Sequence, residues 1–207
     1  MQAFKAITSV AVPWLMPNVD TDIITPMKRM LSSPTKLEKY AFEPYRFVGG
    51  NADTGKPDPA FPLNQPQYKN ARIMIVGENF GGGSSRETAP KAIAKLGIRC
   101  LIGTSFGGIF FKNCFQVGVL PIALPGETVA KLAAEAAGGH VFTVDLEAQE
   151  ITTPGGETIP FRVEPLRRTS LIEGLDDVGL ILKQKDKIKA FQERDRERRP
   201  WVYSARG

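Results

Sequence analysis

The sequence predicts an α/β fold that combines parallel and antiparallel strands and closes with a charged helix. Three observations predict it. Residues 73–103 read as strand, glycine-rich loop, helix, strand, a βαβ-like unit. Residues 141–146 and 157–163 alternate apolar and polar side chains around the turn Pro154-Gly155-Gly156, the pattern of a hairpin. Residues 184–199 have helical spacing but are dominated by charge. A chain of 207 residues and 22.7 kDa fits one large domain, with or without an extension. The expected division is a body at residues 1–183 and a basic helical tail at residues 184–207.

The elements follow in order. Residues 2–16 read as a strand ending near Pro13 and Pro17. Residues 18–26, NVDTDIITP, read as an Asx-rich turn with a short apolar run behind it. Residues 27–70 lack periodicity and are rich in Pro and Gly, so they read as a long loop that is functional or lies over a partner. Residues 73–76 form a short β-branched run, a buried strand. Residues 88–96 have helical spacing, with Gly97 placed to stop the helix. Residues 99–103 are a second apolar strand. A helix is expected near residues 109–116, then a strand at 119–124 interrupted by Pro121. Residues 127–137 read as an alanine-rich helix ending at Gly138-Gly139. Phe106, Phe110, Phe111 and Phe115 have near-helical spacing and belong to the core.

Composition excludes several classes. Apolar residues make up 42%, enough for a real core. The uncharged stretches at residues 100–111 and 113–126 are too short to span a bilayer. The opening residues lack a long apolar run, so no secretory signal is expected. Cys100 and Cys114 are the only cysteines and His140 the only histidine. They cannot build a disulfide framework or a cysteine-rich metal site, and they point to a reducing, cytoplasmic compartment. The net charge of +5 is concentrated in the tail, where residues 183–199 hold eight basic and four acidic side chains. The body is close to neutral, unlike a nucleic-acid domain, which carries its charge on the folded body. The tail itself fits a solvated helix with i,i+4 pairs, a contact with an acidic partner, or non-specific nucleic-acid binding.

Two clusters carry possible chemistry. Gly81-Gly82-Gly83-Ser84-Ser85-Arg86-Glu87 lies between a strand and a helix start. Glycines let backbone approach a ligand closely. Amide groups at a helix N-terminus favour an anion. Arg86 adds a bidentate donor suited to a carboxylate. Ser84 and Glu87 also have capping-box spacing, so a plain capped turn explains the segment as well as an anion site does. No Walker-type or dinucleotide glycine pattern is present. In the second cluster, Asp20 and Asp22 could orient an arginine, bind a hard cation or form Asx turns; solvated turns fit the spacing best.

The ordered series NVDTDIITP (residues 18–26), GENFGGGSSRE (77–87), GTSFGGIFFKNCFQVGVLPI (103–122), VDLEAQEI (144–151) and LDDVGLIL (175–182) resembles the bacterial 3-isopropylmalate dehydratase small-subunit family. The resemblance runs from about residue 4 to 190. It implies a three-layer β/β/α swivelling domain like the fourth domain of aconitase, acting in leucine biosynthesis as part of a hydro-lyase. It implies that this chain binds no metal and that a large subunit, its partner in a heterodimer or heterotetramer, carries a [4Fe-4S] cluster. By the same resemblance Ser84 takes the proton from the carbon beside the substrate carboxylate. Ser85, Arg86 and Gly83 meet that carboxylate, and Asp22 faces the same site. A serine hydroxyl can act as a base only where positive charge and backbone dipoles stabilise its alkoxide, which the loop and Arg86 would provide. The chain departs from the family pattern at Gly82, Thr88 and Lys91, where Cys, His and Trp are usual. Arg29, in the segment that shapes the substrate pocket, would suit a more polar group. A paralogue acting on another 2-hydroxy-dicarboxylic acid, of the methyl-substituted malate or citrate type, therefore stays open. So does a non-catalytic anion-binding module.

Overall fold

The structure is a computed structural model that describes residues 1–33, 35–83 and 86–203. Among the described residues, seven strands form one mixed sheet: β1 (Ala6–Trp14), β2 (Ile73–Val76), β3 (Cys100–Gly103), β4 (Leu120–Ala123), β5 (Val141–Asp145), β6 (Glu150–Thr152) and β7 (Thr158–Pro160). Their spatial order is β4-β3-β2-β1-β5-β6-β7. β1 carries the architecture. Its first half pairs antiparallel with β5, from Ala6 opposite Asp145 to Val10 opposite Val141. Its second half pairs parallel with β2, from Ala11 opposite Ile73 to Trp14 opposite Val76. One strand thus joins a parallel sheet to an antiparallel meander.

The helices are α1 (Thr21–Ile24), α2 (Met27–Ser32), α3 (Leu37–Tyr40), α4 (Glu43–Arg46), α5 (Thr88–Lys95), α6 (Gly108–Gln116), α7 (Gly126–Ala136), α8 (Pro165–Glu173), α9 (Asp177–Leu182), α10 (Lys185–Arg198) and α11 (Pro200–Tyr203). Alternate residues of the parallel strands enter different cores, as expected for a sheet buried on both faces. Ile73, Ile75, Cys100 and Ile102 join Phe142, Val144 and Ile151 of the meander and Val129 and Leu132 of α7. Met74, Val76 and Leu101 join Ala92 and Ile93 of α5 and Phe110 and Cys114 of α6. The result is the expected layered α/β arrangement: meander with α7, parallel sheet, then α5 and α6 with the short helices. Pro121 sits in β4, an edge strand of the sheet, where a missing N–H costs no central ladder bond.

Two expectations need correction. The turn Pro154-Gly155-Gly156 joins β6 to β7, not the 141–146 run to the 157–163 run; β5 reaches β6 through residues 146–149, and β6 lies between them. A three-residue strand, Glu150-Ile151-Thr152, is too short to show an alternating pattern. Residues 27–70 are not a bare loop. They hold three short helices and three 3₁₀ turns whose Leu37, Ala41, Phe42 and Phe61 are buried in the second core. Proline and glycine break these helices every few residues, which hides their period. Helix α5 begins at Thr88 with Glu87 as its cap residue. Glu87 Oε2 accepts from Lys91 Nζ at 2.7 Å, and its capping-box partner Ser84 lies outside the described residues. No helix among the described residues is long and apolar enough to cross a membrane.

Candidate functional site

The loops after β1, β2 and β3 leave the carboxyl ends of three parallel strands, where open α/β sheets gather ligand-binding residues. They are stitched together. The Gly81 amide donates to the Val19 carbonyl at 2.6 Å, and the Thr21 amide to the Gly82 carbonyl at 2.9 Å. On the other side, the Phe80 amide donates to the Ser105 carbonyl and the Gly107 amide to the Phe80 carbonyl. Asn79 Nδ2 donates to Asn18 Oδ1 at 2.9 Å, and the Asn79 amide to Ser105 Oγ at 2.8 Å. Residues 18–21, 79–83 and 105–107 therefore form one fixed platform.

Glycine is required at Gly107, where a Cβ would overlap the Gly81 carbonyl, and at Gly81. Gly81 has φ +74°, and a Cβ there would land inside the Phe110 ring. Phe110 is 2% exposed and packs edge-on against Phe80 at 5.6 Å, so the ring cannot yield without opening the core.

The two aspartates part company. Asp20 caps α1: its Oδ1 accepts from the Ile23 amide at 2.8 Å. Asp22 meets Arg86. Arg86 Nη1 donates to Asp22 Oδ1 at 2.5 Å and Nη2 to Oδ2 at 2.9 Å, a bidentate pair across 64 residues of sequence. The side chain of Arg86 is 10% exposed and that of Asp22 55%. The guanidinium is thus held in the protein while the carboxylate faces out. The hydrogen bond from Arg86 holds Asp22 below the usual carboxylate range against modest desolvation, and the same bond raises Arg86. The Met27 amide also reaches Asp22 Oδ1, at 3.3 Å, and so ties α2 to the pair.

The expected Ser84 and Ser85 lie outside the described residues. Their neighbours are placed: Gly83, with φ +91°, lies against Thr21 and Asp20, and Arg86 is clamped by Asp22. Arg29 is engaged elsewhere. Its guanidinium bonds both oxygens of Glu43, with Nε at 3.0 and 2.8 Å and Nη2 at 2.5 Å, and Asp53 Oδ2 at 2.6 Å. It also stacks 4.3 Å over the Tyr40 ring. With side-chain exposures of 12% and 6%, Arg29 and Glu43 form a nearly buried ion pair, so the charge of Arg29 is already offset inside the protein. No spacing rule links positions 29, 43 and 53.

The departures at Thr88 and Lys91 lie beside this platform. Thr88 Oγ1 contacts Met30 Sδ at 3.4 Å, and Lys91 is an exposed partner of Glu87. Among the described residues no three of His, Cys, Asp or Glu converge as metal ligands. Cys100 and Cys114 are buried in different cores, and burial pushes both thiols well above their ordinary pKa. They do not fit an iron–sulfur ligand set. His140 is exposed, its Nδ1 2.6 Å from the Glu135 carbonyl.

Comparison with known proteins adds to this geometry. The Aconitase C-terminal domain family matches residues 1–127 and the LeuD_N family residues 130–165. The family of C-terminal domains from 3-isopropylmalate dehydratase small subunits matches residues 177–205. The chain is 50% identical over 205 residues to the 3-isopropylmalate dehydratase small subunit of Rhodospirillum centenum, covering 98% of this chain and 99% of that one. It is 48% identical to that of Paramagnetospirillum magneticum, covering 98% and 100%. Its fold is similar to the crystal structure of 3-isopropylmalate dehydratase from Methanocaldococcus jannaschii, with a TM-score of 0.64 and 28% identity, over 90% of this chain and 99% of that one.

Proposed function

Because the chain belongs to the family of 3-isopropylmalate dehydratase small subunits, we propose that residues 18–26 and 77–91 form the small-subunit wall of a hydro-lyase active site. The chain is a hydro-lyase subunit that works with a large subunit. The observation that carries the site assignment is the Asp22–Arg86 pair, held by the loops that follow the parallel strands β1 and β2.

The substrate we assign is isopropylmalate, in the leucine-biosynthetic isomerisation that the sequence resemblance implies. Arg86 offers two parallel N–H donors to its carboxylate, and Asp22 holds the guanidinium plane in place. Ser84 takes the proton from the carbon beside that carboxylate. Charge that develops on this carbon spreads into the carboxylate, where Arg86 stabilises it; the same guanidinium favours the serine alkoxide. Ser85 and the Gly83 backbone add further donors to the lone pairs of the same carboxylate. A [4Fe-4S] cluster on the large subunit, as the sequence resemblance implies, would supply Lewis-acid chemistry for the departing hydroxyl. Two free buried cysteines suit a reducing cytoplasm.

Arg29 in isolation would favour a more polar hydroxy-diacid. Glu43 and Asp53 account for that charge, and isopropylmalate stands. Ser84→Ala in the assembled enzyme tests the assignment. Turnover should fall by about 10³-fold, the scale of a positioned proton-transfer group, with KM and affinity for the large subunit held. Turnover within about tenfold of wild type would leave a binding module without catalysis.

A further inference from the structure

The C-terminal segment presents an unusual surface. α10 is a 14-residue helix that is exposed along nearly its whole length; only Ile188 and Asp195 are withdrawn from solvent. α11 folds back on it: Arg199 donates twice to Asp195, at 2.7 and 2.8 Å, and Tyr203 Oη once, at 2.9 Å. This clasp turns Trp201 outward, 70% exposed. Val178, Ile181, Leu182, Phe191 and Val202 are likewise more than half exposed. Scattered exposed apolar side chains are ordinary; six between residues 178 and 202 are a concentration that suits an interaction surface. A charged helix of this length is marginal alone in water, and a covering surface would complete it.

We infer that α9–α11 is a docking arm by which this chain holds the large subunit, the arm's apolar residues packing on that subunit and the α10 lysines and arginines facing an acidic patch. The inference rests on the family reading above. Three observations choose this occupant. The arm is strongly basic while the body is close to neutral, so a second copy of the chain would be repelled and an acidic face attracted. The arm is continuous with the catalytic wall: Asp176 and Asp177 line one recess with Glu87, Lys91 and Asn113, and the Asp177 amide reaches Gln116 of α6. The Aconitase C-terminal domain match ends at residue 127, whereas residues 177–205 match a domain family particular to the dehydratase small subunits. A swivelling domain tethered within one polypeptide gains its neighbours at high effective concentration; a separate subunit has no such tether and must supply the affinity by contact.

The test uses the full chain and the purified, cluster-loaded large subunit. One variant combines Lys185→Glu and Lys189→Glu, both exposed and helix-compatible, since a carboxylate near an N-terminus suits the helix dipole. A second combines Phe191→Ser and Trp201→Ala. Each should weaken the dissociation constant at least tenfold, and the charge variant should also flatten its salt dependence. At saturating large subunit, kcat should stay within about twofold of wild type, because neither variant touches residues 18–26 or 77–91. Far-ultraviolet circular dichroism and Tm confirm folding. Unchanged affinity in both variants overturns the docking arm and leaves the catalytic reading standing. Lost binding to a duplex oligonucleotide with unchanged binding to the large subunit also overturns it, in favour of nucleic acid. A wild-type chain that neither binds nor activates the large subunit overturns both readings.

Discussion

Asp22 and Arg86 show how a single residue pair sets the charge of a site. The carboxylate is half exposed, so solvent screens it, and the pair contributes only about 0.5 kcal/mol to folding. Its pH behaviour follows from the direction of the shift. Asp22 titrates lower in the folded chain than unfolded, so its stabilisation is complete above the unfolded value near 4 and is lost as pH falls through the folded one. Scanning calorimetry of Asp22→Asn against wild type should therefore give a small Tm difference that is constant between about pH 5 and 8 and shrinks below about pH 4. Arg86 stays charged throughout. In the assembled enzyme the same variant should raise KM severalfold by loosening the guanidinium, and the acid limb of the rate profile should not move.

At the scale of the element, the loop after β2 is held first by backbone hydrogen bonds, to which Asn79 and Arg86 add side-chain ones. Its glycines let residues 79–83 run between two other loops within hydrogen-bonding distance. Gly81→Ala tests this. The positive φ is strained for alanine, and the new methyl group would overlap Phe110, so a loss of about 3 kcal/mol in denaturant unfolding is expected. Activity should fall further than stability explains, because Gly83 and Arg86 ride on the same loop. The helices at residues 21–46 are held differently. Too short to persist alone, they are fixed by Phe42 and Leu37 in the core and by the Arg29–Glu43 pair.

For the molecule as a whole, the change of partners along β1 between Val10 and Ala11 binds the parallel sheet to the meander. Ala11 is fully buried at that junction, in the core shared by Ile73 and Phe142. A larger side chain would wedge the layers apart. Ala11→Leu should cost about 1–3 kcal/mol. Because one strand belongs to both halves, chemical unfolding followed by fluorescence and by circular dichroism should give coincident, single transitions before and after the change. Two separated transitions would show that the halves unfold independently.

Local pattern in the sequence was enough for much of this. The strands at 73–76 and 100–103, the helices at 88–95, 108–116 and 126–136, and the charged C-terminal helix each show their own periodicity. The glycine-serine-arginine loop was visible as a candidate, and the ordered motifs named its family. Periodicity could not show β6, which is too short, or the helices at 21–46, which run only four to six residues each and are interrupted by Pro26 and Pro34. It could not assign partners to charges. Asp22 met Arg86 because β1 and β2 run parallel and bring their following loops to one edge, and Arg29 met Glu43 because Leu37 and Phe42 anchor the short helices between those strands in the core; both relations exist only once the core has formed. Residue type and spacing decided which chemistry was present; the pairing of distant strands decided which charges were left to perform it.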